Sequence, residues 1–135
     1  MGLDNGIIVR KTKIDEGIRS CFWYKYWKEE NKDKIKEEEI CYWRKCWNIR
    51  NKIFEIIGKH PDDEEYEYSL SLDNIVDIYY MLKDLNKKNW FDGGSSIWDW
   101  EEIKKSIKGN IKELNKLIKR MKREPDLEVI FYDSY

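Results

Sequence analysis

The chain has 135 residues, with 26 Lys and Arg against 27 Asp and Glu, for a net charge of -1. That length implies one domain, 1–135, with a modest core, and the balanced charge excludes the global basic field that drives binding to nucleic-acid polymers. With 39% charged and 15% aromatic residues, solubility rests on Lys/Glu surfaces and the core on Ile and large rings.

Gly2 to Gly6 leads into Ile7-Ile8-Val9, a β-branched run that suits a strand. Ile18 to Trp27 is aromatic-rich and shows no helix cap, so a second strand is expected there. Glu29 to Glu39 is a run of Lys and Glu, read as a solvated loop or strand end. Ile40 and Cys41 open the first predicted helix, which Gly58 closes. In that stretch Trp43, Trp47, Arg50 and Phe54 share one helical face, Tyr42, Cys46, Ile49 and Ile53 form the apolar stripe beside it, and Arg44, Asn48, Asn51 and Glu55 form a polar row.

His60-Pro61-Asp62-Asp63 reads as a loop. Glu65 to Leu70 alternates polar and apolar residues, as a half-exposed strand does. Ser71 or Asp73 caps a second helix with Ile75, Ile78, Tyr79, Leu82 and Leu85 on one face. Asn89 to Ser96 is a glycine-rich loop. A third helix, expected to be the longest, starts near Trp98 with Ile103, Ile107, Ile111, Leu114, Ile118 and Met121 at three- and four-residue steps. Glu124-Pro125-Asp126 ends it, and Leu127 to Tyr132 is a last strand. The order predicts an α+β fold with a small antiparallel or mixed sheet and three helices.

Cys21, Cys41 and Cys46 form no C-x-x-C pair and His60 is the sole histidine, so a structural zinc site lacks its ligands. An odd number of cysteines without a signal sequence fits a reducing compartment. No apolar run approaches the roughly 18 residues of a membrane span. The start superficially resembles a myristoylation signal, but Gly6 stands where Ser or Thr is expected. A cytoplasmic, unlipidated protein with no cofactor is expected. There is no G-x-S-x-G elbow, P-loop or H-E-x-x-H. Asp62-Asp63-Glu64-Glu65 and Glu101-Glu102 read as solvated charge and helix N-terminal partners before acid–base groups.

A binding constellation remains. Trp90, Phe91, Ser95 and Ser96 lead into a helix N-terminus, where backbone N–H groups and hydroxyls suit a phosphate. Trp90, Phe91, Trp98 and Trp100 offer stacking surfaces. Arg44, Lys45 and Arg50 in the first predicted helix, with Lys119, Arg120 and Arg123 near the end of the third, supply countercharge. The plainer reading of the same residues is a capped loop, with the tryptophans as core plugs.

Met1-Gly2-Leu3-Asp4, Tyr42-Trp43-Arg44-Lys45 and Phe131-Tyr132-Asp133-Ser134-Tyr135 resemble blocks of a family of small phage and prophage proteins. Many relatives carry Asn and His where this chain has Trp47 and Arg50, so no role carries over to those two. The group in turn resembles the Thoeris anti-defence proteins of the first type. That resemblance implies a viral sponge that sequesters, without cleaving, a cyclic ADP-ribose signal made by bacterial TIR-domain proteins. It also implies a second site for cyclic oligonucleotides in some members, a dimer or larger homo-oligomer, and action in the cytoplasm of an infected bacterium. The physical expectations agree: a sponge needs rings for adenine, cations for pyrophosphate and polar groups for ribose, but no catalytic group. The alternative is a phage protein that binds and inhibits a host protein through exposed aromatics. A nucleotide-cleaving enzyme stands third.

Overall fold

The computed structural model describes residues 4–60, 66–91 and 98–134. Four antiparallel strands, β1 (Asp4–Arg10), β2 (Glu37–Arg44), β3 (Glu67–Ser69) and β4 (Glu128–Ser134), form one sheet in the order β2-β1-β4-β3. Five α-helices lie among the described residues: α1 (Glu16–Arg19), α2 (Tyr24–Glu30), α3 (Trp47–Ile57), α4 (Leu72–Asp84) and α5 (Trp100–Arg123). The α+β class with an antiparallel sheet stands, and the expected helix count of three is corrected to five.

Two local readings fail for physical reasons. Residues 18–27 form no strand. Asp15 caps α1 by accepting from the Gly17 N–H at 2.8 Å, and α2 stacks Tyr24 on Trp27 one turn on, with centroids 6.1 Å apart. Aromatic content favours a strand only where a pleated, half-buried surface awaits the rings. Residues 41–44 belong to β2, not to the first predicted helix. Cys41 and Trp43 are buried while Tyr42 and Arg44 are exposed, the two-residue period of a strand. Lys45, at φ 54, then breaks the strand in a conformation that costs a residue with a Cβ roughly 1–2 kcal/mol. The helix begins after it, at Trp47.

The other elements follow their sequence signals. Gly58 ends α3 at φ 69, with the Lys59 N–H on the Phe54 carbonyl at 3.2 Å and the Gly58 N–H on Glu55, a Schellman close that left-handed glycine permits. Reciprocal capping boxes, Ser71 with Asn74 and Asp99 with Glu102, start α4 and α5. The buried face of α5 runs through Ile103, Ile107, Asn110, Leu114, Leu117 and Met121, while Ile111 and Ile118 flank it half-buried. The expected stripe is therefore turned slightly, and it admits Asn110. In the amide orientation its neighbours require, Asn110 accepts from the Trp43 indole N–H and donates to the Ser106 carbonyl at 3.2 Å. Buried indoles need such a partner.

The sheet has two unlike faces. Ile7, Val9, Cys41, Trp43, Tyr68, Val129 and Phe131 point into the core shared with α3, α4 and α5. Alternation sends Gly6, Ile8, Arg10, Glu37, Glu67, Ile130 and Tyr132 to the opposite, outer face. The α1–α2 hairpin covers part of that face. It buries only Tyr24, so apolar burial alone does not hold it there.

Candidate functional site

Part of the constellation expected from sequence does assemble. The Trp98 indole N–H donates to the Arg44 carbonyl at 2.7 Å, and the Trp90 indole donates to the Trp98 carbonyl at 2.6 Å. Trp90 and Trp100 meet with centroids 6.4 Å apart. These bonds tie the β2–α3 junction, with Arg44 and Lys45, to the start of α5. Trp90 is only 1% exposed and offers no face to a base, so its expected stacking role is corrected to that of a core plug.

Arg120 and Arg123 do not join this group. They sit at the far end of α5, twenty or more residues from Trp100 and about 30 Å away at 1.5 Å per residue. Arg120 is engaged with Glu38 of β2 and, at 3.3 Å, with Glu124, and Arg123 is exposed. No single small ligand spans both ends, so those two are withdrawn from the site. The expectations for Ser95, Ser96 and the Phe91 side chain lie outside the described residues.

The described parts of the three sequence blocks, Asp4, Tyr42 to Arg44 and Phe131 to Ser134, come together across three neighbouring strands. Asp4 stands opposite both Arg44 and Ser134, Asn5 opposite Trp43 and Asp133, and Gly6 opposite Tyr42 and Tyr132. On the inner face Arg50 of α3 donates to both carboxylate oxygens of Asp133 at 2.8 Å, and the Asn5 amide donates to the same group. On the outer face the Tyr42 hydroxyl donates to Asp4 at 2.6 Å, and the Tyr132 ring lies on Gly6. A Cβ at Gly6 would come within 2.6 Å of that ring and of the Cys41 carbonyl; only glycine lets the ring rest on the strand.

Beside Tyr132, between α2 and the sheet, opens a cleft of roughly 450 Å³. Lys25 and Lys28 of α2 and Lys32 in the turn after it line one side, Glu37 and Glu39 of β2 another, and Tyr66 and Tyr132 form its aromatic wall with centroids 6.4 Å apart. Lys25 and Lys28 hold their ammonium groups over the Tyr66 ring, 5.4 and 5.3 Å from its centroid. Burial, with the nearby Glu67 and Glu37 charges, pushes the Tyr66 hydroxyl up to about 12. Burial and Glu39 likewise raise Tyr132, so both phenols stay protonated donors.

Beneath the cleft lies a buried ion network that fastens the hairpin. The Arg10 side chain, wholly buried, donates to Glu37 at 2.8 Å and to Glu67 at 2.9 Å. Lys28 reaches Glu67 at 2.8 Å and Glu37 at 3.3 Å. The Tyr24 hydroxyl donates to Glu67 at 2.9 Å, and Arg19 of α1 meets Glu128 at 3.1 Å. Burial opposes the charge on Glu67, but hydrogen bonds and charge from Arg10 and Lys28 outweigh it and hold this carboxyl below its usual range. The three cations and three carboxylates of this network balance.

Sequence reasoning passed over the cleft. Some of the signals were there: Lys25 and Lys28 align once α2 is helical, Tyr66 belongs to a segment read as a half-exposed strand, and Tyr132 to the last predicted strand. Among the described residues no cluster of three or more His, Cys, Asp or Glu is placed to hold a metal, and no helix is long and apolar enough to cross a membrane. Burial raises the Cys41 thiol and pushes Cys46 up to about 12, which leaves both thiols protonated and poorly nucleophilic. No protein-family model matches the chain, and no curated protein or solved structure is similar to it.

Proposed function

We propose that the protein captures a small nucleotide-type signal of the cyclic ADP-ribose class and holds it intact, acting as an anti-defence sponge in the cytoplasm of an infected bacterium. The observation that carries this reading is the outer-face cleft. Its volume falls in the range of small-molecule sites, and it sets three kinds of group around one space. Tyr132, backed by Gly6, offers a ring for the base. Lys25 and Lys32 offer cations for a pyrophosphate, while Glu29 and Glu39 accept from ribose hydroxyls. The protein contributes positioning and charge, with no step of bond cleavage assigned to it.

A second reading is supported by exposed rings. Phe22 is 98% exposed and Tyr26 79%, with Trp23 between them also in solvent; such rings anchor protein interfaces. A host protein, or a second copy of the chain in a homo-oligomer, would cover them.

Capture followed by release separates these readings. The protein is incubated with cyclic ADP-ribose, freed of unbound ligand, heat-denatured, and the supernatant examined by mass spectrometry. Intact ligand recovered in near-stoichiometric amount supports the sponge. A hydrolysed product points to an enzyme, and no retained ligand leaves the interface reading.

A further inference from the structure

Among the described residues strand β3 is an edge of the sheet, with β4 on one side only. The Leu70 N–H donates to the Val129 carbonyl and the Asp133 N–H to the Tyr66 carbonyl, both at 2.9 Å. In an antiparallel ladder the backbone groups of every second residue face the same neighbour. Tyr66, Tyr68 and Leu70 therefore face β4, and Glu67 and Ser69 turn their N–H and C=O groups outward. A groove of roughly 1140 Å³ runs along this open edge, lined by Tyr68 and Ser69, by Cys21 and Phe22 of the hairpin, and by Ile57 and Asn74 of α3 and α4.

Soluble proteins usually blunt a sheet edge with a very short strand, a charge, a proline or a covering element, because outward backbone groups invite another strand; β3, three residues long, leaves two residues outward. Here the Glu67 side chain is drawn away to Arg10 and Lys28 on the outer face, so it does not guard the edge. The groove rim carries Lys25 and Lys59, with Arg19 already paired to Glu128 and Glu16, and the carboxylate it exposes beside them is Glu16. The edge thus matches an extended backbone, and the rim matches an anionic one. We infer that β3 docks an extended, acidic peptide segment of a partner protein as an added strand, with an apolar side chain against Phe22. Main-chain hydrogen bonds provide the affinity of such pairing and alternate side chains its specificity. This groove adjoins the nucleotide cleft and shares Lys25 and Tyr66 with it, but the strand pairing rests on the β3 backbone and does not depend on the nucleotide reading.

A displayed library of random twelve-residue segments, selected on the full chain, supplies the probe, and enriched sequences are made as synthetic peptides. Enrichment of acidic, β-prone sequences is expected. N-methylation at every second peptide residue in the register facing β3 should weaken binding by about tenfold or more, since those N–H groups pair with the edge. N-methylation in the other register should leave affinity unchanged. Ser69→Pro removes an outward N–H without touching the β4 ladder, and proline is tolerated at sheet edges; it should abolish binding at an unchanged melting temperature. Should that variant fail to fold, the methylated peptides still decide. No enrichment, or equal sensitivity in both registers, overturns the inference. So does a dimer by light scattering whose exchange-protected amides are Glu67 and Ser69, because the edge would then belong to a second copy.

Discussion

Replacing Arg10 by Met tests whether the ion network, and not apolar burial, fastens the α1–α2 hairpin to the sheet. Met keeps much of the aliphatic volume but removes the cation between Glu37 and Glu67. Among the described residues Glu67, whose side chain is 3% exposed, would keep Lys28 and the Tyr24 hydroxyl as partners. Breaking a buried pair by removing one member costs about 3–5 kcal/mol, because the other charge is left desolvated. That is a large share of a total stability of about 5–15 kcal/mol. For 135 residues the unfolding entropy is about 0.28 kcal/mol/K, so the loss corresponds to a melting temperature lower by about 10–18 °C. Differential scanning calorimetry at neutral pH reads it directly. The double variant Arg10→Met with Glu67→Gln should recover part of the loss, since it removes the stranded charge. A drop of under about 4 °C, the worth of an exposed ion pair, would refute the anchoring role.

The same groups set a pH dependence. Glu67 is held below its ordinary 4.5 in the folded state, so its contribution is present above that pH and lost on acidification below it; a melting series from pH 6 to 3 should fall most steeply there, and less in Glu67→Gln. Tyr66 moves the opposite way, from 10 to about 12, so its contribution is full below pH 10 and lost as pH rises toward 12. Tyr66→Phe should flatten the alkaline limb of the curve. Leu114→Ala, in the centre of the α5 face, should cost about 2–5 kcal/mol by denaturant titration, and Ile111→Ala, on its half-buried flank, clearly less; equal losses would misplace that face. Gly6→Ala should lower the melting temperature and displace the Tyr132 ring, read from its aromatic proton shifts, because the added methyl group meets a backbone carbonyl that cannot yield.

Much of the fold was legible where a single period runs unbroken. The Ile and Leu steps of α5, the Ser71 cap of α4 and the alternation before Leu70 all name their elements. What failed was residues 18–46, where rings and cations are interleaved so densely that both periods find support. Trp43 and Trp47 satisfy a helical step, yet Lys45 lies between them at a φ that sequence reasoning reserves for glycine or asparagine. The site suffered for the same reason. Without α2 as a helix, Lys25 and Lys28 had no common side. Tyr132 had no visible partner until β1 and β4 placed it on Gly6. Trp90 shows the converse error: a ring in a glycine-rich stretch looks available, but its indole N–H and its face are spent in the core.

The most direct measurement is a calorimetric titration of cyclic ADP-ribose into the native protein and into Tyr132→Leu, with the melting temperature of each recorded alongside. The ring on Gly6 is assigned to stack on the base, so its loss should weaken binding by about 1–3 kcal/mol, roughly five- to 150-fold, in a protein that remains folded. Binding of equal strength in the two proteins, or no binding heat in the native one, would contradict the cleft as the site of capture.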